Sequence, residues 1–80
     1  MSKKNLTAAA NLGAPSYKVL VESGYKIVVK DNVWIAENNK WILRADGPIQ
    51  LLGLASLVEK KDENWRVTDK EIDEFLEIIR

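Results

Sequence analysis

The stretch from Tyr17 to Ala45, YKVLVESGYKIVVKDNVWIAENNKWILRA, decides how this chain folds. It is rich in β-branched and aromatic residues and is broken by short turn signals, the composition of strands joined by hairpins. Three turns follow from residue chemistry. Asn38-Asn39 suits a two-residue loop with positive φ at both positions, which asparagine tolerates. Asp31-Asn32 suits the same loop one hairpin earlier, and Glu22-Ser23-Gly24 suits a three-residue loop with Gly24 left-handed.

These turns imply a register. Around Asn38-Asn39, Ala36 is expected opposite Trp41 and Trp34 opposite Leu43. Around Asp31-Asn32, Val29 is expected opposite Trp34 and Ile27 opposite Ala36. Around the first loop, Val21 is expected opposite Tyr25. Because side chains alternate along a strand, one face then collects Tyr17, Val19, Val21, Tyr25, Ile27, Val29, Trp34, Ala36, Trp41 and Leu43, without a charge. The other face collects Lys18, Lys26, Lys30, Lys40 and Arg44 around Leu20, Val28, Ile35 and Ile42, with Glu22 and Glu37 as its acids.

The apolar face needs a cover, and the later chain offers one. Gly47-Pro48 starts a helix, since proline is favoured at the first helical position, and Gln50 is placed to cap it. Ile49, Leu51, Leu52, Leu54, Ala55, Leu57 and Val58 make this helix apolar nearly all round, which implies burial on most sides. Gly53 would then mark a close approach to the sheet. After a polar connection at 60–64, Thr68 and Glu71 form a capping box. Ile72, Phe75, Leu76 and Ile79 follow at i, i+3, i+4 and i+7, one apolar stripe expected to lie on the domain. The expected fold class is therefore α+β: a four-stranded antiparallel meander followed by two C-terminal helices packed on one sheet face. Residues 1–16 read as a flexible N-terminal arm, with Ala8 to Leu12 as a single helical turn broken by Ala14-Pro15-Ser16. Residues 17–80 read as one domain.

Composition narrows the chemistry. Eighty residues make at most one small domain, and the chain has neither cysteine nor histidine, so disulfides, thiolate zinc sites and histidine catalysis are excluded. The serines lack the context of an activated nucleophile, and no glycine-rich phosphate loop follows a strand. No cofactor and no metal are expected. No apolar run is long enough to span a bilayer, and the basic start is not followed by a signal-peptide core, so a soluble, cytoplasmic protein without membrane contact is the expectation. Formal net charge is zero, yet residues 1–30 carry an excess of lysine while residues 31–80 are acidic. Such asymmetry, without catalytic groups, points to a small bacterial-style protein-interaction module, not an enzyme. Its partner would be a protein or a second copy, met through the basic-aliphatic face (Lys18, Lys26, Lys30, Lys40, Arg44, Val28, Ile35, Ile42) or the acidic last helix.

A second reading rests on Leu6-Thr7-Ala8-Ala9-Ala10-Asn11-Leu12-Gly13 followed by Val19-Leu20-Val21-Glu22-Ser23-Gly24, and on Trp65-Arg66-Val67-Thr68 with Glu71 to Leu76. These segments resemble the small winged helix-turn-helix domains of excisionase and MerR-type regulators. The resemblance implies DNA binding, with Ser16, Tyr17 and Lys18 near the start of a recognition helix. It also makes residues 17–23 helix where the meander makes them strand.

Overall fold

The computed structural model describes residues 2–8 and 11–80. Residues 2–8 are exposed and carry no regular secondary structure. Seven elements follow: helix α1 (Gly13–Glu22), strands β1 (Lys26–Lys30), β2 (Val33–Glu37) and β3 (Ile42–Ala45), helix α2 (Pro48–Lys61), a 3₁₀ turn (Asp62–Asn64) and helix α3 (Asp69–Ile79). The class is α+β, with a three-stranded antiparallel sheet in the order β1-β2-β3. The expected fourth strand is α1.

The reason lies at both ends of that segment. Pro15 falls in the first turn of α1, where backbone N–H groups have no intrahelical acceptor, so the proline costs no hydrogen bond and starts a helix where a break was expected. Gly24 is left-handed as expected, with φ +94°, but it ends a helix and does not turn a hairpin. The Tyr25 amide donates to the Leu20 carbonyl at 3.1 Å and the Gly24 amide to the Val21 carbonyl at 3.0 Å, the paired bonds of a Schellman cap. Helical spacing then buries Ser16 and Leu20 on one face and leaves Tyr17, Val19 and Val21 half-exposed. A boundary between arm and domain at Ser16 falls inside α1. The helical turn expected over Ala8–Leu12 includes Ala9 and Ala10, which lie outside the described residues; Asn11, at φ 81°, is a turn residue.

The remaining hairpins follow the expected parity. Asp31 and Asn32 both take positive φ, 51° and 65°, and Ile27 pairs with Ala36 and Val29 with Trp34. The second hairpin is offset by two residues: Ala36 pairs with Leu43 and Trp34 with Ala45. Asn38 does not supply positive φ there. Its side-chain Oδ1 accepts from the amides of Lys40 at 2.9 Å and Trp41 at 2.7 Å, which moves the loop one position along the chain. An offset of two keeps every side chain on its face, so the apolar surface survives.

α2 covers that surface. Leu51, Ala55 and Val58 are buried against Leu20, Tyr25, Ala36 and Leu43, with Ile27, Trp34 and Trp41 packed around them. α1 lies against α2 and β1. The burial of α2 is one-sided: Ile49, Gly53 and Leu57 are exposed, and a side chain at Gly53 would meet open space. Gln50 closes no hydrogen bond at the start of α2 among the described residues. The ammonium of Lys40 pairs with Asp62, tying the β2–β3 turn to the end of α2.

α3 departs most from expectation. It buries no residue, and Ile72, Phe75 and Ile79 are 44 %, 58 % and 63 % exposed. The two helices that share the inner sheet face are α1 and α2, which meet through Leu20 and Leu51, and not α2 and α3. The radius of gyration is 15.0 Å, against about 12 Å for a compact chain of this length, with residues 2–8 and most of α3 both lying exposed.

Candidate functional site

Two surfaces stand out once the core is accounted for. The first is the sheet face turned away from α2. Cross-strand pairing sets Val28 beside Ile35 and Arg44, and Lys26 beside Glu37 and Ile42, with Lys30 opposite Val33. Val28 and Ile42 are half-exposed and Ile35 partly so, giving an aliphatic strip bordered by lysines on β1 and Arg44 on β3. Six of the eight expected site residues are thus brought together: Lys26, Lys30, Arg44, Val28, Ile35 and Ile42. Two are not. Lys18 sits on α1, because its segment is helical, and Lys40 lies in the β2–β3 turn paired with Asp62. The Asp62 bond holds the Lys40 ammonium above the usual lysine range. Leu20, expected on this strip, is fully buried in the core.

The second surface is α3. Thr68 caps it reciprocally with Glu71. The Thr68 hydroxyl accepts from the Glu71 amide at 3.2 Å, and Glu71 Oε1 accepts from the Thr68 amide at 2.9 Å. Bonding to the Thr68 amide, and then to its hydroxyl, lowers the Glu71 carboxyl from its ordinary value of 4.5. A helix with this cap and this stripe is locally well specified, yet among the described residues its stripe stays largely exposed, with only Leu76 half-buried. Sequence periodicity identified the stripe but assigned it to the sheet. Asp69, Glu71, Asp73, Glu74 and Glu77 against Lys70 make its polar side strongly acidic.

Two apolar recesses accompany these surfaces. One of about 450 Å³ lies between the starts of α1 and α2, lined by Gly13, Ala14, Tyr17, Trp34 and Pro48. The other, about 200 Å³, is bounded by β3, α2 and Trp65. Trp65 is partly exposed, and the Arg66 guanidinium stacks on its ring at 4.3 Å. Neither recess gathers titratable groups. Among the described residues, no three carboxylate side chains converge as a metal site would need. Among the same residues, no helix is long and apolar enough to cross a membrane.

Tyr25 is the one buried hydroxyl with a displaced titration. Burial raises it above the ordinary 10.0, and the Glu59 charge adds to this. Asn38 pulls weakly the other way, but its Oδ1 is committed to the turn amides, and the Tyr25 hydroxyl has no partner at hydrogen-bonding geometry among the described residues. The group lies inside the fold and not on either surface. Searches against protein-family models, curated proteins and solved structures find no match.

Proposed function

We propose that this protein is a non-enzymatic protein-interaction module that works through two complementary surfaces, the acidic, apolar-striped α3 and the basic-aliphatic sheet face. One observation carries the reading: α3 is capped and amphipathic, yet of its stripe Ile72, Phe75 and Ile79 stay exposed and only Leu76 is half-buried. Covering what these three side chains leave exposed would supply part of the roughly 1.5–3 kcal/mol that full burial of each is worth. A partner protein recovers that energy by offering a groove read at helical spacing. Carboxylates dominate the polar side of α3, which opposes adsorption to anionic headgroups. Cross-linking from a photoreactive side chain placed at Phe75 tests the reading. Capture of a protein chain is expected, and absence of any adduct above an exposed control position on α1 would end it.

A second reading, duplex DNA binding, is favoured by one observation: residues 17–22 are helix, as the regulator resemblance requires. Against it, Leu6, Thr7 and Ala8 carry no helix, and a full sheet follows α1. Binding of mixed-sequence duplex that weakens steeply with salt would support it. Its absence at low salt would remove it.

A further inference from the structure

We infer that the partner is a second copy of this chain, with α3 of each copy laid across the outer sheet face of the other. This rests on the interaction reading above and names its occupant. The two surfaces match in size, chemistry and arrangement. At 1.5 Å per residue, the eleven residues of α3 span about 16 Å, and at 3.3 Å per residue a five-residue strand spans about the same. Three strands spaced about 4.8 Å apart give a face wide enough to seat a helix of about 10 Å diameter, and on the inner face α1 packs on β1 while α2 packs on β2 and β3. The outer face has the same width, and among the described residues Val28 and Ile42 on it stay half-exposed.

Charge supplies the selectivity. On α3, Glu71 and Asp73 flank Ile72 and so border the stripe on its two sides. On the sheet, Lys26 and Lys30 border the aliphatic strip along β1 and Arg44 borders it on β3, with one acid, Glu37, on the central strand beside Lys26. Apolar centre meets apolar centre, and acidic margins meet basic margins. The same charges disfavour pairing α3 with another α3, which would bring carboxylates together, and pairing two sheet faces, which would oppose lysines and arginines. The contact that remains is helix on sheet. A single helix face falls short of the roughly 1,200–2,000 Å² that stable interfaces bury, whereas a two-fold exchange forms the contact twice. Each sheet then carries helices on both faces.

The test uses charge exchange in the full chain. One variant carries Lys26→Glu, Lys30→Glu and Arg44→Glu; the other carries Asp73→Lys, Glu74→Lys and Glu77→Lys, leaving the Thr68–Glu71 cap intact. All changes lie on exposed positions, and circular dichroism checks that both variants fold. Sedimentation velocity should find the native chain dimeric in the micromolar range and each variant alone at least tenfold weaker. An equimolar mixture should regain the dimer, because each variant's helix now complements the other's sheet. A native chain that stays monomeric to about 1 mM, or variants that dimerise as the native chain does, would overturn the inference. If the native chain is monomeric while the Phe75 cross-linker captures a different protein, self-association is wrong and the interaction reading stands. If it captures nothing, both fall.

Discussion

Leu20 and Tyr25 are joined by a hydrogen bond from the Tyr25 amide to the Leu20 carbonyl, 3.1 Å long, and both side chains are buried in the core. That bond closes the end of α1 and starts β1 in the same step. The turn between them depends on Gly24, whose φ of +94° is open to glycine and strained for any residue with a Cβ. Everything downstream, from the hairpins to the packing of α2, is oriented by this reversal.

Replacing Gly24 with alanine should therefore cost about 1–2 kcal/mol of unfolding free energy, although no atom lies near enough to clash with the new methyl group. Urea denaturation measures it. An unchanged midpoint would mean that the cap is not formed.

Gly53 gives the opposite sign. It lies inside α2 and faces open space, so Gly53→Ala should stabilise the fold by about 1 kcal/mol and raise Tm by roughly 4–8 °C. Destabilisation on thermal melting would indicate that something packs against this position.

The buried Tyr25 hydroxyl links stability to alkaline pH. Its folded pKa lies above the unfolded 10.0, so the folded chain holds the proton more tightly than the unfolded one. The contribution is complete below pH 10.0 and is lost as pH rises through the folded value. Tyr25→Phe should flatten that alkaline loss while leaving the neutral-pH profile parallel. An identical alkaline slope in the two proteins would show that another group titrates there.

The Thr68–Glu71 cap gives the reverse case. Glu71 is lowered from 4.5 in the fold, so its support of α3 is complete above that value and fades as pH falls through the folded one. Because α3 buries no residue in its own chain, acidification or Thr68→Ala should lower the protection factors of the α3 amides, taken against unfolded exchange at the same pH, by about fivefold while the core amides keep theirs. Equal loss of protection in the core would show that α3 supports the body.

Much of this architecture is legible in the residues. Asp31-Asn32 announces a two-residue turn with positive φ, and alternation from Ile27 to Leu43 identifies the buried face even where the second hairpin is offset, because an offset of two preserves parity. The segment from Tyr17 to Val21 misleads, since its β-branched residues alternate like a strand. Only the proline in the first turn and the glycine after Ser23 mark it as helix, and each has a second meaning in a hairpin. The basic-aliphatic face is legible where it lies on true strands: Lys26, Lys30 and Arg44 share one face of the sheet, as expected. Lys18 went astray with its helix, and Lys40 with the shifted turn. Periodicity located the stripe on α3 but carries no information on whether the body has room for it. That depends on the inner sheet face being three strands wide and already covered by α1 and α2.

Isotope-filtered NOE spectra, recorded on an equimolar mixture of labelled and unlabelled chains, examine the interface at the level of single side chains. Contacts between the Phe75 ring of one copy and the methyl groups of Val28 and Ile35 on the other are predicted. Contacts confined within one chain, or running from Phe75 to Phe75 across copies, would contradict the pairing of α3 with the outer sheet face.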